Sequence, residues 1–317
     1  PITAWINERH LDKIGLYNAW GYNPIAMMAL EPDLCPNGID ELRETVAALR
    51  EVGIQVIMDV VFNHTGESDA FGPTLSMRGL DNRYYYLHDD QFNLVNDTGC
   101  GNTLACMESG VVQLVMDSLR YWVQAAGIAG FRFDLAPVLG RLKSGFDRDA
   151  PLLAAMRQDP VLNKVLLIAE PWDIGFGGYQ FGHFGAPWME WNDHYRDDVR
   201  RFWQGNGSVA SLATRLAGSS DVFASSFRWS TTSVNFIAAH DGFCMRDLVS
   251  YNEKHNWANG EDNRDGSNDN ISWNNGTEGE THDERIIEAR KRDVRALLAT
   301  LFLSQGTAML TAGDELG

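Results

Sequence analysis

Short apolar runs that each end in a polar or acidic residue recur along this chain, and helical periodicity fills the stretches between them. Gly130-Phe131-Arg132-Phe133-Asp134, Leu166-Leu167-Ile168-Ala169-Glu170 and Val234-Asn235-Phe236-Ile237-Ala238-Ala239-His240-Asp241 each close on a carboxylate. Val56-Ile57-Met58-Asp59-Val60-Val61-Phe62-Asn63-His64 has the same build and closes on an amide and an imidazole. Strands buried on both faces read as such runs, and their alternation with helices predicts an α/β layout with a parallel sheet. Acidic groups at the C-terminal ends of parallel strands are how a barrel assembles a site from distant sequence. Carboxylates converging there suit glycoside chemistry, in which one acts as acid and another as nucleophile.

The helical segments support this order. From Asp40 to Val52, Leu42, Val46 and Leu49 recur at helical spacing, and Gly53 follows as a stop. Val111–Ala126 repeats the device before Gly127, ahead of a strand over 128–134. A helix over 152–159 leads to a strand over 165–170, and a strand near 188–191 precedes a helix over 193–203. A long helix near 284–304 feeds a strand at 307–311. The fold class expected is a (β/α)8 TIM barrel spanning 1–317. It is expected to be incomplete, with a strand near 17–22, Pro1–Trp5 as the trailing end of a mostly missing first strand, and nothing after the last. Stretches 65–109, 171–187 and 242–283 fit neither period and follow strand ends, which marks them as walls of a cleft. Their aromatics, Tyr84, Tyr85, Tyr86, Phe176, Tyr179, Trp257 and Trp273, suit stacking on sugar rings, although each taken singly is also ordinary packing.

Composition narrows the partners. The 317 residues hold 26 basic against 43 acidic side chains, a formal charge of −17. That balance argues against nucleic acid or an anionic membrane, both of which reward basic patches, and it is compatible with a neutral sugar. No apolar run reaches the ~18 residues of a membrane span. Cys35, Cys100, Cys106 and Cys244 form no metal-ligand spacing. Free thiols in a cytoplasmic enzyme are the expectation, with a Cys100–Cys106 disulfide as the alternative.

Side chains alternate along a strand, so Arg132 and Asp134 share a side. A guanidinium there keeps the carboxylate ionised, as a nucleophile must be. The alternative for this segment is a buried Arg–Asp pair without chemistry. Glu170 follows four apolar residues, surroundings that raise a carboxyl pKa toward that of a general acid. The alternative is a strand-end glutamate that caps a helix. The pairs Asn63-His64 and His240-Asp241 are weak signals taken alone.

The segments Asp59–His64, Gly130–Asp134, Glu170 and the run closing in His240-Asp241 resemble the four signature regions of the α-amylase superfamily of glycoside hydrolases. The resemblance sharpens in Thr98–Thr103, Asp117–Trp122, Ala169–Gly175, Glu190–Asp193 and Tyr251–Asn256, which are similar to bacterial glycogen debranching enzymes and isoamylases. It implies Asp134 as nucleophile, Glu170 as acid/base and Asp241 as transition-state stabiliser. It also implies that His64 and His240 meet sugar hydroxyls, that Arg132 orients Asp134 with Asp59 and Asn63 in support, and that Tyr22 stacks under the sugar.

Leu135-Ala136-Pro137 stands where enzymes acting on α-1,4 bonds usually carry a Lys-His pair. That implies cleavage of α-1,6 branch linkages in glycogen or limit dextrin. The alternatives are α-1,4 hydrolysis or glucan transfer at the same site, or a catalytically silent glucan-binding subunit. Leu104–Ser109 departs from the usual debranching pattern, and the flanking β-domains the family implies are not in this sequence. No redox or organic cofactor is implied. A structural Ca²⁺ is compatible with the resemblance, but no oxygen-ligand loop can be assigned to it.

Overall fold

The computed structural model describes residues 1–224 and 228–316. Its backbone divides into two compact units, 1–190 and 191–317.

In the first unit, strands Ile57–Val60, Gly130–Phe133 and Leu166–Ala169 lie side by side in chain order, each pairing parallel with the next, and Met189 and Glu190, which open strand Met189–Asn192, continue the order beside Ile168 and Ala169. Parallel neighbours in unbroken chain order are the (β/α)8 progression; a doubly wound sheet reverses its order partway. Ile57 pairs with Gly130 and Gly130 with Leu166, and this register sets Asp59 directly beside Arg132. The strands are shorter than their apolar runs suggest. Residues just past the last rung, Asp134 and Glu170, still bond to the neighbouring strands through Val60 and Phe133 carbonyls.

Helices cover one face of this sheet. Ile39–Glu51 and Ser109–Ala126 pack together, and Pro151–Gln158 packs against the latter. Ser109–Ala126 buries Val111, Val115, Leu119, Trp122 and Ala126 at helical spacing, then stops at Gly127, whose φ of 75° closes the C-cap. Phe131 and Phe133 join that core, along with Val60, Leu167 and Trp188. Trp122 Nε1 and Ser118 Oγ both donate to the Met27 carbonyl, at 3.0 and 2.8 Å, which anchors the N-terminal segment to the helix.

The second unit has its own core of Tyr195, Val199, Ile237, Leu248, Leu297 and Leu301. Helix Asp193–Gln204 begins where the Asn192 side chain accepts from Tyr195 N–H. Strands Ser233–Asn235 and Thr307–Ala308 pair parallel, and helix Glu284–Leu303 leads into the latter.

Several expectations need correction. Segment 17–22 forms no strand, and Pro1–Trp5 does not run parallel to the sheet. Thr3 and Trp5 instead make antiparallel bridges to Leu30 and Pro24, because 1–31 folds back on itself through local backbone bonds. Segment 65–109 is not structureless: it contains helix Met77–Tyr85, broken by non-helical Asp81. Stretch 242–283 contains the short helix Met245–Leu248 and a 3-10 turn at Trp257–Asn259. The strand expected over 233–241 stops at Asn235, so His240 and Asp241 lie in irregular chain beyond it. All four cysteines are free.

Candidate active site

One guanidinium organises the polar end of the first sheet. Arg132 is the third residue of its strand and points away from the side that takes Phe131 and Phe133 into the core. Its Nη1 lies 2.8 Å from Asp59 Oδ1 and 3.4 Å from Asp134 Oδ1, and its Nη2 lies 2.8 Å from Glu170 Oε2. Three carboxylates from three adjacent strand segments therefore share one cation, as the register requires. Burial opposes the Arg132 charge, but Glu170, Asp59 and Asp134 outweigh it and hold its pKa above the ordinary value. The arginine side chain is 6% exposed, with Glu170 at 8% and Asp134 at 13%. Buried charges persist only when paired in this way.

The surroundings of Glu170 differ from the apolar setting its sequence suggests. Oε2 takes the Arg132 bond and also the Leu135 N–H at 2.9 Å. Leu135 reaches it from a left-handed conformation, φ 41° and ψ 50°, which a γ-branched side chain adopts at a cost. The strain turns the chain directly after Asp134 so that its amide meets the neighbouring strand's carboxylate. Ala136 N–H then donates to the Glu170 carbonyl.

Asn63 holds Asp134 from the other flank, with its amide donating to both the backbone carbonyl and Oδ2 at 2.8 Å. His64 is buried, with Nδ1 2.5 Å from Asn63 Oδ1 and Nε2 2.7 Å from the Tyr22 carbonyl. Burial pushes its pKa down, against the pull of Asp134 and the Tyr22 carbonyl. Tyr22 donates its hydroxyl to Asp59, accepts from Arg132 Nη1 at 3.1 Å and sets its ring 5.7 Å from the guanidinium. The residues expected at the site in 1–190 are thus brought together: Tyr22, Asp59, Asn63, His64, Arg132, Asp134 and Glu170.

His240 and Asp241 belong to the second unit. His240 Nδ1 lies 4.0 Å from Asp241 Oδ1, and the imidazole meets the Trp191 ring edge-on at 6.1 Å. Asp241 is 65% exposed and lines a recess of about 180 Å³ with Arg196, Arg200, Asp269 and Asn270. Arg200 in that recess is buried and donates to the Ile237 and Asn270 carbonyls, and burial brings its pKa down to about 9. Among the described residues no group of three or more His, Cys, Asp or Glu is placed to hold a metal ion, and no helix is long and apolar enough to cross a membrane.

Sequence reasoning missed three supports. Leu135 acts through its backbone, which leaves no trace in residue type. Asn102 is buried and clasps Thr65, accepting from its N–H at 3.0 Å and donating to its carbonyl at 2.9 Å, directly after Asn63-His64. Glu67 collects the Leu75, Ser76 and Arg78 amides and the Tyr86 hydroxyl. A glutamate in a polar loop carries no signal of such burial.

No family model matches the chain. It is 53% identical over its full length to a glycogen debranching enzyme of Salmonella gallinarum (strain 287/91 / NCTC 13346), covering 49% of that protein. It is 52% identical, again over its full length, to a glycogen debranching enzyme of Salmonella schwarzengrund (strain CVM19633) and covers 49% of it. Among solved structures it matches a pullulanase from Bacillus acidopullulyticus with TM-score 0.73 and 24% identity, covering 100% of this chain and 36% of that one. A pullulanase from Anoxybacillus sp. LM18-11 complexed with maltotetraose matches with TM-score 0.70 and 25% identity, covering 99% of this chain and 43% of that one. The chain spans about half the length of the curated relatives it matches. Along its whole length the chain is thus similar to about half of each of these glycogen debranching enzymes, and it shares its fold with the pullulanases.

Proposed function

We propose that the protein to which this chain belongs is a retaining glycoside hydrolase that cleaves α-1,6 branch linkages of glycogen or limit dextrin. The observation that carries the chemistry is Arg132 bridging Asp134 and Glu170 at the ends of neighbouring parallel strands. Asp134, held from both sides by Arg132 and Asn63, attacks the anomeric carbon. Glu170 gives its proton to the departing glycosidic oxygen, then takes one from the water that releases the glycosyl-enzyme. The Leu135 amide and Arg132 fix Glu170, so both carboxyl groups are positioned before substrate arrives. For Asp241 as transition-state stabiliser and for His64 and His240 as sugar contacts, the proposal rests on the family resemblance. No cofactor is required by this scheme, and the free thiols fit a reducing cytoplasm.

The branch preference rests on Leu135-Ala136-Pro137. The structure commits the Leu135 and Ala136 amides to Glu170, and Pro137 has no N–H, so this segment offers a linear chain few polar handles. Binding energy away from the scissile bond lowers the barrier, so an amylose chain gains little here. Product analysis with the full-length protein tests this. The ratio of kcat/KM on branched limit dextrin to that on amylose is expected to be at least ~10, about 1.4 kcal/mol. Equal rates on the two glucans would refute the branch preference, and no hydrolysis of either would refute the glycosidase.

A further inference from the structure

Phe176 is 99% exposed on the loop that follows Glu170, yet the turn that carries it is held by a largely buried ion cluster. Arg141 lies on a two-rung hairpin, Arg141–Leu142 with Gly145–Phe146, and reaches over to that turn. Its Nη2 meets Asp173 Oδ1 and Oδ2 at 2.6 and 2.5 Å, its Nη1 donates to the Phe176 carbonyl at 3.0 Å, and its Nε lies 3.1 Å from Asp97 Oδ2. Asp173 is closed from solvent in its side chain and also accepts from Gly175 N–H at 2.8 Å.

Backbone bonds complete the turn. Asp173 N–H donates to the Gly178 carbonyl, Gly178 N–H to the Gly175 carbonyl, and Ile174 N–H to the Asp97 carbonyl. The glycines serve close approach. A Cβ on Gly175 would lie 2.5 Å from Asp97 Oδ1, and one on Gly178 would lie 2.0 Å from Asp173 Oδ1. The charged cluster Asp97–Arg141–Asp173 thereby ties together the loops that follow three successive strands, on the face where Asp134 and Glu170 stand.

A buried ion cluster spent on one surface turn needs a reason, because desolvating such charges is costly and an apolar tip gains nothing from it. Presenting a flat ring without further ordering supplies one, since a preorganised contact loses little entropy when it is used. We propose that Phe176 is a stacking platform for a glucose ring of the α-glucan beyond the cleavage point. The ring offers an apolar face to the C–H face of a pyranose, and Arg141 acts as the positioning residue that holds it there. This rests on the glucan-cleaving reading above.

The test uses the full-length protein with maltoheptaose for equilibrium binding and branched limit dextrin for kinetics. Phe176→Ala is expected to weaken maltoheptaose binding at least 5-fold and to raise KM on limit dextrin similarly, with kcat within 2-fold. Phe176→Trp, which keeps a flat ring, is expected to restore both. Gly178→Ala, which keeps the phenyl ring but displaces its turn, should weaken binding as the alanine variant does. Unchanged binding in Phe176→Ala, or equal loss in Phe176→Trp, would overturn the platform. A wild-type protein that binds maltoheptaose without cleaving any glucan would overturn the hydrolase reading instead and leave the binding test of Phe176 in force.

Discussion

Arg132 Nη2 and Glu170 Oε2 are 2.8 Å apart, and this one ion pair joins two neighbouring parallel strands at the polar end of the sheet. The same guanidinium serves Asp59 and Asp134, so removing it would leave three carboxylates facing one another in a largely buried space. Arg132→Ala is expected to destabilise the fold by about 3–5 kcal/mol, the usual result of stranding buried charges. Arg132→Lys should recover only part of this, because an ammonium lacks the planar fork that spans separate carboxylates. Chemical denaturation of both variants checks the order wild type, Lys, Ala.

Glu170→Gln keeps a side chain of the same shape but cannot give up a proton as an acid does. Hydrolysis of branch linkages is expected to fall by about 10²–10⁴-fold. The loss in the first step should be smaller with a glucosyl fluoride, whose leaving group needs no proton. A pre-steady-state burst of fluoride from the variant, followed by slow turnover, is the expected trace. Equal losses on both substrates would remove Glu170 from the acid role.

Glu67 makes the clearest pH prediction. Burial opposes its charge, but the Ser76, Arg78 and Leu75 amides and the Tyr86 hydroxyl outweigh it and hold the carboxyl below the ordinary 4.5. A depressed folded pKa contributes stability that is present above pH 4.5 and lost as the pH falls toward the folded value. Glu67→Gln should therefore lower stability by about 1.5–3 kcal/mol at pH 7, in line with charged hydrogen bonds. The variant should also lose less than the wild type between pH 5 and pH 3. Urea unfolding across that range reads both effects.

Met27 offers a test of shared hydrogen bonding. Its carbonyl accepts from both Trp122 Nε1 and Ser118 Oγ, so either donor can be lost while the acceptor stays satisfied. Trp122→Phe and Ser118→Ala should each cost about 1 kcal/mol through this bond. Together they leave a buried carbonyl unpaired, and the double variant should exceed the sum of the singles by at least ~0.5 kcal/mol. Additive values in a denaturation cycle would contradict the shared acceptor.

Much of the first unit was legible because its signals are local. The apolar runs predict the strands, since buried parallel strands need nothing but apolar side chains and β-branched or aromatic bulk. Leu42, Val46 and Leu49 predict Ile39–Glu51, and Gly127 marks the end of Ser109–Ala126, because a helix stripe and a left-handed cap are properties of a few consecutive residues. Alternation along a strand likewise put Arg132 and Asp134 on one side. The N-terminal segment is not legible in this way: Pro1–Trp5 has strand-like residues, but the choice between joining the sheet and bridging to Pro24 and Leu30 is made by backbone bonds within 1–31 that residue type does not announce.

By itself the sequence determined which residues are acidic, that the runs around 57–60, 130–133 and 166–169 are strands, and that both carboxylates of the proposed pair stand at strand ends. Only the tertiary structure decided what each carboxylate touches. The register of Asp59 beside Arg132 made one guanidinium serve three acids. The left-handed turn at Leu135 gave Glu170 a backbone donor where apolar surroundings were expected. The Asp97–Arg141–Asp173 cluster fixed a turn in a stretch that shows neither helical nor strand period in sequence. In each case the energy comes from groups distant in the chain meeting in a place shielded from water, where a single added or missing partner outweighs any local preference.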